Sequence, residues 1–222
     1  MPHTLLVLAH PRSDSLTAQV AGRVHTRRRA AGGSVDLLDL CAEDFDPRLT
    51  PADEPDWDNR DKVYSPKVRA HMDRVLAADE IVAVFPVWWF APPAVLKGWI
   101  DRVWNYGFAY GHSTLRLAAK RMLWLGLAGG TAAEYEELGL GASLEHQLRA
   151  GVSEFCGVTD TAVRLLYGTE LSGVQEPLRP ARVEEILAAT DDVLTAFDVS
   201  TETRLPDREN LCDSPMSSLR KG

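Results

Sequence analysis

The sequence has no apolar run near the ~20 residues that a membrane-spanning helix needs, so no membrane insertion is expected. Cysteine is scarce: Cys41, Cys156 and Cys212 are the only three. Their number is odd, they lie far apart and no Cys-x-x-Cys pair occurs, which excludes a disulfide framework or zinc site as the reading. The six histidines form no His-Glu-x-x-His or other ligand spacing, so no metal is assigned. Positive charge is also in deficit, with a net charge of −8 over 222 residues. That balance disfavours nucleic acid and anionic membranes as partners. The one basic run, Arg27-Arg28-Arg29, falls at an expected helix C-terminus and reads as a solvated helix end. No Gly-x-Gly-x-x-Gly follows a strand. Gly139-Leu140-Gly141 lacks the third glycine and has no strand before it, so a dinucleotide site of the Rossmann type is not expected. The chain opens directly on an apolar strand with no signal peptide, and a cytoplasmic location is expected.

What is present is an alternation of strands and helices. The apolar fraction of 45% is ordinary, and the length suffices for one sizeable α/β domain. Short apolar runs at 4–9, 34–40, 81–85, 121–128 and 161–166 read as buried parallel strands. Between them, helical spacing predicts a helix capped by Asp14 or Ser15 and stopped at Gly32-Gly33. Further helices are predicted around Val68, Met72, Val75 and Leu76, over 92–104, over 143–156 and over 179–197. Pro92 and Pro93 sit where a first helical turn tolerates proline. Residues 44–66 are rich in Asp and Pro and read as a long surface excursion. The domain is expected to span 1–199, with a polar, mobile tail over 200–222. Strands alternating with helices imply a five-stranded, doubly wound parallel sheet with helices on both faces.

Such sheets bind ligands beyond the carboxyl ends of their strands. Three unusual loops, 10–17, 87–91 and 127–135, each follow a strand and so gather on one edge. The first, with His10, Arg12, Ser15, Leu16 and Thr17, opens a helix. It suits either a simple cap or an anion site, because a helix N-terminus offers free N–H groups. The second delivers Trp88, Trp89 and Phe90 between a strand and a helix that do not need them. These rings either pack beneath the loop or form a platform for a flat ligand. The third, Leu127-Ala128-Gly129-Gly130, is either a plain turn or a close approach of backbone to ligand.

The string Pro86-Val87-Trp88-Trp89-Phe90-Ala91-Pro92-Pro93-Ala94-Val95-Leu96-Lys97-Gly98-Trp99 resembles the flavin-binding loop and following helix of the NAD(P)H:quinone oxidoreductases. Leu6-Val7-Leu8-Ala9-His10-Pro11, Phe108-Ala109-Tyr110-Gly111-His112 and Gly129-Gly130 with Tyr135 extend the resemblance over most of 5–197. It implies a flavodoxin-like fold, a flavin (FAD ahead of FMN) and NAD(P)H as co-substrate. By this resemblance His10, Leu16 and Thr17 contact the flavin diphosphate, and Trp89 and Phe90 contact its ring. Leu16-Thr17 replaces the family's Phe-Asn, which leaves FAD against FMN open. Trp88 replaces a smaller residue. Tyr135 matches a tyrosine that hydrogen-bonds the N1/O2 edge of the ring, where Gly129 and Gly130 would act like an oxyanion hole. The family's active-site histidine falls at Gly141, leaving Tyr135 with water to do the work. Tyr110 and His112 match residues of the substrate pocket that reach the flavin of a partner subunit, so a homodimer is implied. Trp99, Val103 and Trp104 give more apolar surface than one helix needs and point the same way. With no separate dinucleotide site, NAD(P)H and a quinone or similar aromatic acceptor would share one pocket in ping-pong order. Azo, nitro or biosynthetic acceptors are alternatives, as is a flavin-binding regulatory subunit with weak activity.

Overall fold

Ile81, Ala83 and Phe85 alternate with Val82 and Val84 along β3 (Glu80–Pro86), and both sets are fully buried. Successive side chains of a strand point to opposite faces, so both faces of this strand must be covered. The computed structural model, which describes residues 2–202, shows how. β3 lies at the centre of a five-stranded sheet with β1 (His3–Leu8), β2 (Ser34–Asp39), β4 (Arg121–Leu127) and β5 (Asp160–Leu166). All pairings are parallel and the order is β2-β1-β3-β4-β5. Leu6, Val82 and Leu123 face α1 (Leu16–Ala30) and α6 (Arg179–Glu202), meeting Val20, Val24, Ile186 and Phe197. Leu5, Ile81 and Met122 face the other way, towards α2 (Pro66–Ala77), α3 (Ala94–Val103) and α5 (Leu140–His146). Among the described residues no helix is long and apolar enough to cross a membrane.

Several expectations need correction. Pro92 and Pro93 precede α3 rather than sit in its first turn, and Pro93 is its N-cap. Trp99 and Val103 are fully buried and Trp104 nearly so, packed against Trp124 and the sheet, so their apolar surface says nothing about a second copy. The helix predicted over 143–156 starts earlier, at Leu140, and continues as a π-helical segment, Gln147–Glu154. There Leu148 and Ser153, five apart, share the buried face, and the Ser153 hydroxyl accepts from Trp124 Nε1 at 2.9 Å. A further helix, α4 (Ala132–Glu137), precedes it. α6 runs to Glu202, past the predicted start of the tail, and 203–222 lie outside the described residues. Arg28 is not a solvated helix end. It is 8% exposed and bridges Glu80 at 2.8 Å and Asp198 at 2.9 Å.

The excursion over 44–66 has little regular structure, but it is not merely a surface loop. Phe45 and Tyr64 are buried, and Asp53 is 0% exposed. The Asp53 carboxylate accepts from Arg102 Nη2 at 2.6 Å, from the Ser65 backbone N–H at 2.8 Å and from the Ser65 hydroxyl at 2.9 Å. Asn105 donates to the Asp53 carbonyl at 2.7 Å, and Arg102 also donates to the Asp46 carbonyl. Burial pushes the Asp53 carboxyl up, but Arg102 and Ser65 outweigh it and hold the pKa below its ordinary 3.8. A carboxyl with a depressed folded pKa contributes its stability above the unfolded value and loses it as pH falls through the folded one. Asp53→Ala is expected to destabilise the chain by about 3–5 kcal/mol at neutral pH, because it strands the buried Arg102 charge. The variant's deficit should shrink in acid, where the wild type also loses its carboxylate. Urea unfolding at neutral and acid pH reads both, and a neutral-pH loss below ~1 kcal/mol would contradict the anchoring role.

Candidate functional site

Parallel strands all deliver their following loops to one edge, and two adjoining cavities open there. The first, of about 470 Å³, is lined by His10, Arg12, Ser15, Leu16 and Thr17 from the loop after β1. Pro86, Val87 and Trp88 after β3, and Leu127 and Gly129 after β4, complete much of its wall. The second, of about 450 Å³, is framed by Trp89, Phe90, Gly130 and Tyr135, with Leu138 and Leu140 behind them. Val87 and Gly129 line both.

The first cavity is rich in donors. The Ser15 hydroxyl caps α1 by accepting from the Ala18 N–H at 3.1 Å, so its own proton stays available. The α1 N-terminus is therefore capped, and residues of its first turn line a cavity. Asp14 does not line the cavity and pairs with Arg12 at 3.2 Å on the exposed surface. His10 Nδ1 lies 3.1 Å from the Arg12 backbone nitrogen and 3.3 Å from the Arg12 carbonyl oxygen, so the Arg12 backbone holds that side of the ring. Burial lowers the His10 pKa from its ordinary 6.5, so the ring is neutral at pH 7. Its edge meets the Trp88 ring at 5.9 Å.

The second cavity is apolar and its loop is strained. Trp88 and Ala91 exchange two backbone hydrogen bonds of 3.1 Å around a two-residue turn, Trp89-Phe90. Both residues have left-handed φ, +50° and +58°. A turn of this kind ordinarily takes Asn-Gly, since a left-handed residue with a Cβ costs roughly 1–2 kcal/mol. Instead two large rings are held out, and Trp89 is 94% exposed. Such strain collects at functional sites.

The Gly-Gly loop leads into α4 through a capping box. Thr131 accepts from the Glu134 N–H at 3.3 Å, and Glu134 Oε2 accepts from the Thr131 N–H at 2.7 Å. This start sets Tyr135 against Phe90 at 5.7 Å and Tyr167 at 5.3 Å, both edge-on. Burial raises the phenol pKa of Tyr135, so it is a donor at neutral pH. The two glycines differ. A Cβ on Gly130 would meet Glu134 Oε2 at 3.0 Å and the Tyr135 ring at 3.3 Å, so the protein's own packing wants it bare. A Cβ on Gly129 would make only ordinary contact, 3.5 Å from Glu170 Cβ, so the protein's own packing does not require a glycine there. At Gly141 a Cβ would lie 3.1 Å from the Tyr167 hydroxyl, so Tyr167 takes the room that a side chain at 141 would need.

Not every predicted residue comes to the site. Ala128 is fully buried, and its carbonyl accepts from the Thr169 N–H at 3.0 Å. Tyr110 packs within its own chain against Trp57, Tyr106 and Phe155, and His112 Nε2 donates to the Gly107 carbonyl at 2.8 Å. Neither lines either cavity. Conversely, the loop after β5 brings Thr169, Glu170 and Leu171 into the first cavity. Its position at the carboxyl end of a strand was the available signal. Among the described residues no cluster of His, Cys, Asp and Glu could hold a metal ion.

Comparison with known proteins accords with this geometry. A family described by the flavodoxin-like fold matches residues 2–190. YcaK of Escherichia coli, named an uncharacterised NAD(P)H oxidoreductase, is 39% identical over 192 residues, covering 86% of this chain and 96% of its own. The ribosyldihydronicotinamide dehydrogenase [quinone] of Pongo abelii is 28% identical over 78% of this chain and 84% of its own. The solved NAD(P)H:quinone oxidoreductase of Methanothermobacter marburgensis superimposes with a TM-score of 0.72 at 24% identity, covering 86% of this chain and 96% of that one, which speaks for the fold. A shared fold, a match over nearly the whole domain and a bacterial relative at this identity place the chain in the flavodoxin-like family of NAD(P)H oxidoreductases, and it is an oxidoreductase.

Proposed function

We propose that this edge of the sheet binds a flavin and moves a hydride from NAD(P)H to a quinone or similar aromatic acceptor, the two substrates entering one pocket in turn. The observation that carries this reading is the pair of cavities joined at Val87 and Gly129, one donor-rich and one aromatic. A phosphorylated chain attached to a flat ring has the same division. Arg12, His10, Ser15 and the α1 N-terminus would hold the phosphate. Trp89, Phe90 and Tyr135 would enclose the ring, and the bare Gly129 lets backbone approach it. The flavin, when bound, supplies two-electron hydride chemistry. Tyr135 would donate a hydrogen bond to the polar edge of the ring, and the N–H groups of Gly129 and Gly130 would add to it. The relatives' names support a nicotinamide donor and a quinone acceptor.

The purified protein should be yellow with one flavin per chain, FAD ahead of FMN by the mass of the released cofactor. Initial rates with varied NAD(P)H and menadione should give parallel double-reciprocal lines. A colourless protein that takes up neither flavin would sink the reading. Intersecting lines would instead require a separate nicotinamide site. A flavoprotein that barely reduces menadione would be a binding subunit.

Replacing the strained turn residues together, Trp89→Asn with Phe90→Gly, should stabilise the fold by about 2 kcal/mol. The same change should weaken flavin binding tenfold or more. Thermal unfolding and flavin titration read the two effects. Unchanged flavin affinity would show that the turn serves only the loop's shape.

We also propose a homodimer. Trp89 stands almost fully exposed, and Tyr110 and His112 line neither of the two cavities of their own chain. A second copy would cover the rings and bring the partner's pair to the pocket. Light scattering at assay concentration should report a dimer, and a fully active monomer would exclude it.

A further inference from the structure

We infer that a third cavity, between α2, the excursion and the segment 107–116, is a binding site for a small organic phosphate, held by Arg60, Arg69 and Arg116. The inference stands whether or not the carboxyl edge holds a flavin.

This cavity, of about 330 Å³, shares no residue with the two at the carboxyl edge. Three stretches far apart in sequence build it. The excursion supplies Arg60 and Lys62, α2 supplies Arg69, and the segment after α3 supplies Arg116. A Cβ at Gly107 would collide with the Arg60 carbonyl, so the glycine lets the excursion close against that segment. The Tyr64 hydroxyl ties the same two pieces together by donating to the Tyr106 carbonyl at 2.6 Å. Met72 and Phe108, both nearly fully buried, form an apolar floor.

The three arginines stand out by having no partner. Every other described arginine donates a hydrogen bond or forms an ion pair within the chain. Among the described residues Arg60, Arg69 and Arg116 do neither, and all three line this one cavity. Carboxylates are not in short supply, since Asp and Glu outnumber Lys and Arg by 32 to 24. Asp61 and Asp73 even line the same cavity without pairing with them. Cations gathered around one space repel one another, and an anion relieves that repulsion.

Charge and shape select the anion. Four cations against two carboxylates leave positive charge in surplus around the cavity. A phosphate monoester carries about −1.5 to −2 charges at pH 7 and three acceptor oxygens, which suits that surplus better than a single carboxylate does. Guanidinium groups match phosphate with paired donors. Lys62 is committed to the Glu54 carbonyl, so the arginines supply the free donors. A bare phosphate would leave the apolar floor uncovered, whereas an ester with an aromatic or aliphatic body would cover it. The net charge of −8 disfavours a polynucleotide as the phosphate's source.

The test titrates full-length protein with phenyl phosphate, inorganic phosphate and benzoate by calorimetry at low ionic strength. Phenyl phosphate should bind most tightly. Arg60→Gln, Arg69→Gln and Arg116→Gln should each weaken it about tenfold. Each variant should keep the wild-type melting temperature, because these side chains are exposed and unpartnered among the described residues. Failure of phenyl phosphate to bind, or equal affinity in wild type and all three variants, would overturn the inference. So would a loss in Arg12→Gln but in none of the three, which would place the phosphate at the carboxyl edge. Inorganic phosphate or benzoate binding as tightly as phenyl phosphate would overturn the assignment to an organic phosphate. A lowered melting temperature in the three variants would give the arginines a structural role and overturn it as well.

Discussion

Parallel strands cannot be joined by hairpins, and this constraint governs the rest of the molecule. Every connection must cross the sheet and return the chain to the amino edge before the next strand can start. The two edges then take different chemistry. At the amino edge, Glu80 begins β3, Arg121 begins β4 and Asp160 begins β5. Arg28 pairs with Glu80, and Arg121 reaches Asp160 at 3.0 Å and Glu80 at 3.5 Å. Charge is neutralised internally there. At the carboxyl edge the loops after β1, β3, β4 and β5 leave donors, two carboxylates and large rings lining the two cavities.

The site depends on how stiffly those loops are held. The aromatic loop is a tight turn closed by two backbone hydrogen bonds, the Gly-Gly loop runs straight into a capped helix, and the last loop is tied to the Gly-Gly loop. A backbone closed in such a turn has little conformational freedom left to lose, which would favour binding. The strain at Trp89 and Phe90 is tolerable because β3, which leads into them, is completely buried.

Legibility in the sequence followed the range of the interaction. The strands were readable because burial on both faces leaves unbroken apolar runs such as 81–85. The α1 start was readable because Ser15 acts on Ala18, three residues away. Asp53 was not, because it sits in a stretch of polar residues and its partner Arg102 lies 49 residues on. Arg28 was hidden for a related reason: three adjacent arginines look alike until the fold buries one. α4 buries only Tyr135, so it has no periodicity, although Thr131 and Glu134 carry the capping-box spacing. The aromatic and Gly-Gly loops stood out by composition. The loop with Glu170 has no such signature, and only its place after β5 marks it. Tyr167 was missed because the glycine at 141 says that room is needed without saying for what.

The excursion over 44–66 is attached through few points. Asp53 and Tyr64 supply polar anchors, Phe45 an apolar one, and Gly98 lets Pro47 lie against the α3 backbone. None of the excursion joins the sheet. It should therefore open as one sub-global unit, well before the sheet, because removing a desolvated carboxylate from Arg102 releases all its other contacts together. Amide exchange would show this as a common opening free energy for the excursion, lower than that of β3, and exchange rates graded residue by residue would argue against it. Trp57 rests on Tyr106 and Tyr110, and the Tyr64 hydroxyl donates to the Tyr106 carbonyl at 2.6 Å. Each such opening would then free the segment that carries Tyr110, tying the local order of Tyr110 to the stability of the acidic excursion packed against it.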